Sequence, residues 1–174
     1  GINTPNWKNA IARKNSTMMI YPASAGMMYL HLGIALNSDR YIGEAVKIAD
    51  YYANTIEENG TWYLVRSTVT GEPIEANFVA PAEHVVPFLM EMYEHTKNEA
   101  YKETAAKAID YSLITQMSSY NWEGQFEDVA VSGNYRNLTH FTANNLIAYI
   151  SENLRDDPEM VAEAADLMRF VEDQ

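Results

Sequence analysis

The chain has 174 residues, enough for one domain with a substantial core, and 47% hydrophobic against 21% charged residues excludes a disordered segment. Its 24 acidic and 12 basic residues give a formal net charge of -12, and no basic stripe reverses that locally, so nucleic acid is not an expected partner. Cysteine is absent, which removes disulfides, thiolate metal sites and cysteine nucleophiles, and no apolar run is long enough to cross a bilayer, so no membrane partner is expected either.

From the N-terminal side, the first predicted element is an apolar helix over Pro22–Leu36, with Pro22 in its first turn. A helix apolar on nearly every side is expected to be buried on most of them. Met18, Met19, Met27 and Met28 crowd this region and read as adaptable core. The pair Asn37-Ser38 forms a tight turn, and Ser38 is placed to cap an amphipathic helix with the stripe Ala45, Ile48, Ala49 and Tyr52. A long connection from Glu58 to Ala80 follows. Its Asn59-Gly60 and Thr70-Gly71 pairs, flanking Thr61–Thr68, predict a small β-hairpin, with strand confined to about Thr61–Ile74.

The pattern then recurs. A second apolar helix spans Pro81–His95, with Pro87 inside it as an expected kink, and Asn98 caps an amphipathic helix with the stripe Ala105, Ala108 and Ile109. After a connection from Gln116 to Thr139, a third apolar helix covers His140–Leu154. Asp157-Pro158 starts the last helix, with the stripe Val161, Ala164, Ala165 and Met168. The copies align in sequence. Tyr41–Tyr51 and Tyr101–Tyr111 share Tyr, Ala, Lys, Asp and Tyr at an offset of 60 (101 − 41), and a more diverged copy, Met160–Phe170, lies 59 further on (160 − 101). The fold class is therefore all-α: one domain over 1–174, made of three tandem helical hairpins at about 18–58, 78–115 and 139–174.

This organisation, together with the segment from Tyr120 to Asp128 (YNWEGQFED), resembles the six-hairpin glycosidase superfamily. Its members form an (α/α)6 toroid and include glycoside hydrolases, unsaturated glucuronyl hydrolases and N-acylglucosamine 2-epimerases; no single family is identified. A toroid needs six hairpins, roughly twice this length, so the chain reads as half of such a barrel. Half a barrel is expected to self-associate or to expose a contiguous apolar patch beside its first or third hairpin. The resemblance implies that inner helices line the cavity and that the long outer-to-inner loops form its mouth. It also implies a carbohydrate substrate, a periplasmic or secreted location and, first among activities, glycoside hydrolysis by general acid/base carboxylates. A sugar epimerase or polysaccharide lyase is the alternative chemistry, and a non-catalytic helical-repeat binding domain is the alternative class. No cofactor is expected, and no His/Asp/Glu spacing suggests a metal site.

The candidate residues follow from what a sugar demands: a flat apolar face for the ring and carboxylates and amides for its hydroxyls and for proton transfer. In the second long loop, Glu127 and Asp128, then Glu123, are the catalytic candidates, with Trp122 to stack and Gln125 to bind hydroxyls. The competing reading has Trp122 and Phe126 plugging helix ends while the acids stay solvated. In the first long loop, Trp62, Tyr63 and Arg66 are binding candidates, the guanidinium suiting a uronic acid; the competing reading is a hairpin packed over helix ends. His84 and His140 stand in first turns of inner helices and could serve as acid and base, whereas His31 and His95 read as structural. Asp39, Glu44, Glu57, Glu99, Glu103, Glu159 and Glu163 read as a solvated outer face. If the second loop is the site, Trp122→Ala raises KM, and Glu127→Gln or Asp128→Asn lowers turnover by about 10²–10⁴. Normal turnover in both amide variants, with Trp122→Ala only less heat-stable, would move the chemistry elsewhere.

Overall fold

The computed structural model describes residues 15–74, 79–80, 82–112 and 140–173, with side chains in the last segment from 143 onward. Among them are six helices and one two-stranded sheet: β1 (Ser16–Met18), α1 (Tyr21–Leu36), α2 (Asp39–Thr55), β2 (Val65–Ser67), α3 (Ala82–Thr96), α4 (Glu99–Asp110), α5 (His140–Asn153) and α6 (Pro158–Glu172). The pairing follows sequence order. Each inner helix packs most extensively on the outer helix after it, α1 on α2, α3 on α4 and α5 on α6, while α3 also touches both α1 and α5. The six predicted helices and three hairpins are thus present, with boundaries within a few residues of those expected.

Local chemistry explains the boundaries. Asn98 accepts from the Ala100 amide at 3.2 Å, and Asp157 accepts from Glu159 at 3.0 Å and from Met160 at 3.3 Å, satisfying donors that a helix start leaves open. Ser38 occupies the same position before α2, but its side chain makes no capping bond. The first two tight turns share one device, a left-handed residue: Asn37 at φ 48° and Lys97 at φ 59°. Pro87 lies inside α3, where it removes one backbone donor.

The core faces repeat as well. Ala23, Gly26, Leu30 and Gly33 of α1 are buried, and so are Ala82, Val85, Leu89 and Met92 of α3, each 59 positions on (82 − 23). Small residues set the helix spacing at α1. A Cβ on Gly26 would lie 2.4 Å from the Phe88 ring, and one on Gly33 would lie 2.6 Å from Ile42, so both neighbours occupy space that only glycine leaves. On the outer helices, Ala45, Ala49 and Tyr52 of α2 and Ala105, Ala108 and Ile109 of α4 are buried as the stripes predicted, and Ile48 of the α2 stripe is partly buried.

Two expectations need correction. On α6 the buried face is Ala164 and Leu167, with Met160 and Val171 packed beside them, while Val161, Ala165 and Met168 are exposed. The helix carries two apolar stripes about 100° apart, and periodicity alone cannot choose between them. On α1, burial stops at the small-residue stripe, and Tyr21, Met28, Leu32, Ile34 and Leu36 face outward.

One strand, β2, falls where strand was predicted, but its main partner lies outside that range. It is β1, paired antiparallel with Ser16 opposite Ser67 and Met18 opposite Val65. The predicted hairpin is present in shortened form, through the Arg66–Pro73 bridge and the bond from Ile74 N to Val65 O at 2.9 Å. Gly60, at φ 98°, seats the loop on α4, because a Cβ there would meet the Lys107 carbonyl at 2.6 Å.

Tyr52 joins these parts. Its hydroxyl donates to the Met19 carbonyl and accepts from the Ala23 amide at 3.1 Å. Its ring meets Trp62 and Phe88 edge-on, with centroids 5.4 and 6.5 Å away. Burial raises its pKa well above the usual phenol value, so the hydroxyl stays protonated. Tyr52→Phe strands the buried Ala23 amide and should cost about 1–3 kcal/mol, seen as a lower urea midpoint at unchanged slope. An unchanged midpoint would remove Tyr52 from this central role.

Candidate functional site

Where α3 and α5 run side by side, their facing sides do not close, and a groove of about 580 Å³ remains. Helical spacing explains its lining. Glu83, Pro87, Met90 and Glu94 recur at i, i+4, i+7 and i+11 along α3, and Asn145, Tyr149 and Glu152 at i, i+4 and i+7 along α5. His84 and Glu91 complete the α3 side, and Ala148, Asn153 and Leu154 the other. Four carboxylates, two carboxamides, an imidazole and a phenol thus border one concavity, with Pro87, Met90 and Leu154 as apolar surface.

Several of these groups have defined states. Glu83 is buried, the least solvated carboxylate of the four. Glu91 is tied to α1 by His31, whose Nε2 lies 2.5 Å from its Oε2. His31 is exposed rather than a core histidine, and so is His95. His84 is half-buried, and burial lowers its pKa below the ordinary value of 6.5, so the imidazole is neutral at pH 7 and one ring nitrogen can accept a proton. Burial raises the Tyr149 pKa, which keeps that phenol protonated and able to donate. The groove can therefore accept hydrogen bonds through carboxylates and donate them through amides and a phenol. Among the described residues no cluster of His, Asp and Glu could hold a metal ion, and no helix is long and apolar enough to cross a membrane.

The predicted residues fall into three groups. His84 lines the groove. His140 begins α5, but its side chain lies outside the described residues, as do Trp122, Glu123, Gln125, Glu127 and Asp128. Trp62, Tyr63 and Arg66 belong to the first loop and do not border this groove. Trp62 is 0% exposed, its Nε1 donating to the Tyr52 carbonyl at 2.9 Å, so a sugar reaches neither face of the ring. Arg66 pairs with Glu57, donates to the Gly71 carbonyl at 2.8 Å and sits 5.8 Å from the centre of the Tyr63 ring. A guanidinium so engaged is not free to clamp a substrate carboxylate, and the packed-hairpin alternative describes Trp62 and Arg66 as they are placed. Glu57 likewise leaves the solvated outer face to which the sequence assigned it, because Arg66 needs its charge balanced.

The carboxylates and amides of the groove were not singled out from sequence. Their only signal was polar residues at i, i+4 and i+7 on helices otherwise read as buried, and that signal has no meaning until α3 and α5 are known to be neighbours. Comparison with protein-family models, curated proteins and solved structures finds no match to this chain.

A pH dependence follows from His84. Its folded pKa lies below the unfolded value of 6.5, so the unfolded chain takes up the proton first. The stability associated with the neutral imidazole is present above pH 6.5 and is lost as pH falls through that value toward the lower folded pKa. Urea titrations at pH 7 and pH 5 should show His84→Gln losing less stability on acidification than the parent. An equal loss in both proteins would mean that His84 titrates as in the unfolded chain.

Proposed function

We propose that this chain is a carbohydrate-active domain that takes a sugar in the groove between α3 and α5, acting as a glycoside hydrolase through general acid/base carboxylates. The observation carrying this reading is the convergence of four carboxylates, two carboxamides and a neutral imidazole on one concavity between neighbouring inner helices. Sugar hydroxyls need many hydrogen-bond partners of both kinds, and glycoside cleavage needs one carboxyl to protonate the leaving oxygen and another to assist water or form the glycosyl bond. Three hairpins in sequence order, with inner helices adjacent, are consistent with half of an (α/α)6 toroid. In that arrangement the groove would open toward the central cavity, and the second long loop, with Glu127, Asp128 and Trp122, would stand at the mouth.

A second chemistry is favoured by one observation, the neutral state of His84. A neutral imidazole lining the same groove as a protonated phenol, Tyr149, suits removal of a proton from a sugar carbon, as in an epimerase or lyase.

Screening the chain against neutral and acidic oligosaccharides tests both chemistries. Hydrolysis predicts new reducing ends, reduced about 10²–10⁴ fold by Glu94→Gln or Glu152→Gln if that residue transfers the proton. Proton abstraction predicts uptake of solvent deuterium at carbon, lost in His84→Gln. Saturable binding without turnover would leave a recognition domain, and no binding to any glycan would overturn the carbohydrate reading.

A further inference from the structure

The α3–α5 groove carries one sign of charge. Four of its twelve lining residues are acidic, against 24 of 174 in the whole chain, and none is lysine or arginine. His84 adds no positive charge at pH 7, because burial holds its pKa below the ordinary 6.5. Such cations as meet these acids come from outside the lining. Lys97 reaches Glu94 at 2.6 Å with the two side chains 64% and 67% exposed, and His31 reaches Glu91 from α1. Exposed pairs of this kind are weak and open to competition. Glu152 meets no lysine or arginine at ion-pair distance among the described residues.

The repeat separates this charge from the common plan of the inner helices. The positions equivalent to Glu83, Glu91 and Glu94 lie 59 earlier on α1 (83 − 24) and 59 later on α5 (142 − 83). They hold Ser24, Leu32 and Ala35 on α1, and Thr142, Ile150 and Asn153 on α5. Building an inner helix therefore requires no acid at any of the three, and the glutamates belong to this junction alone. They also stand along a concavity of about 580 Å³ rather than on an open face, with Pro87, Met90 and Leu154 as apolar wall. Like charges along such walls focus their field on whatever enters.

Resting on the carbohydrate reading of this groove, we infer that its substrate is an amino sugar with a free, protonated amine and that uronic acids are rejected. An ammonium donates three hydrogen bonds and is attracted by every carboxylate, while Asn145, Asn153 and Tyr149 remain for the hydroxyls of the ring. A uronate would instead add a fifth carboxylate, with carboxamides, a phenol and one imidazole as the only side-chain donors to receive it. Arg66, the guanidinium that suits a uronate, is held by Glu57 and Gly71 and does not border the groove.

Calorimetric titration of the 174-residue chain with three oligosaccharides of equal length tests this: a glucosamine oligomer, its fully N-acetylated counterpart and a galacturonic acid oligomer. At about pH 6.5 the glutamates are ionised. The glucosamine oligomer should bind at least tenfold more tightly than the acetylated one and the uronate not measurably, with the preference shrinking as salt rises. Glu152→Gln should weaken binding of the glucosamine oligomer roughly three- to tenfold. Glu152→Lys should weaken it further and admit the uronate. Glu103→Gln, on α4 and outside the groove, should change nothing. Glu103 and Glu152 both face solvent, so helical circular dichroism should stay the same in every variant. Equal binding of the free-amine and acetylated oligomers, a preference for the uronate, or an equal loss in Glu103→Gln and Glu152→Gln would overturn the amino-sugar inference and leave the carbohydrate reading standing. Binding of spermidine but of none of the three oligosaccharides would overturn both.

Discussion

Everything in the first half of this fold converges on one buried phenol. Tyr52 sits near the end of an outer helix, yet its hydroxyl is consumed at the start of the preceding inner helix, where Met19 offers a carbonyl and Ala23 an unpaired first-turn amide. Its ring is held edge-on by Trp62 from the following loop and Phe88 from the next inner helix. The start of α1, the first long loop and α3 are thereby fixed around a single side chain of α2. Burial of such a group is tolerated only because both hydrogen-bonding roles of its oxygen are filled.

The same logic recurs further along the chain. Tyr101, at the start of α4, is the repeat counterpart of Tyr41, and it donates to Asp50 of α2 at 2.7 Å. Burial first, and then this bond, pushes its pKa up to about 12, so the bond persists across the whole physiological range. The outer helices of hairpins one and two are thus joined by a polar contact, and the inner helices beneath them by Gly26 receiving Phe88. Lys107 of α4 adds a third link, donating to the Glu57 carbonyl at 2.9 Å. The first long loop is consequently a structural clasp between two hairpins, with Arg66 and Glu57 neutralising each other inside it. Its aromatic and charged composition, which from sequence could have marked a sugar site, is explained by that duty for Trp62 and Arg66.

The inner helices differ in what they leave unfilled. Between α1 and α3 the small residues of α1 allow a close fit, and His31 with Glu91 bridges the outer edge. Between α3 and α5 the facing positions carry glutamates, asparagines and a proline, and these line the groove. Repeats with one backbone plan therefore produce a tight seam at one junction and a polar cleft at the next, through side-chain size and charge alone.

The sequence by itself determined the helices, their order and their pairing, because these depend on local quantities: the 3.6-residue period, caps at Asn98 and Asp157, a tight turn after α1, and a repeat of 59 to 60 residues. It also marked His84 as a residue to watch. It could not tell that Trp62 is core, that β2 pairs with a strand before the first helix, or which of two apolar stripes on α6 is buried. Those outcomes depend on what lies opposite each side chain, and helical or strand periodicity does not report it: Tyr52 for Trp62 lies across a helix end, Glu57 for Arg66 lies across a loop, and Ser16–Met18 lies about fifty residues before Val65–Ser67. The α3–α5 groove is of the same kind. Glu94 and Glu152 are unremarkable helical glutamates until packing sets them on the walls of one cavity, and only tertiary structure does that, because neither helix carries any local mark of its neighbour.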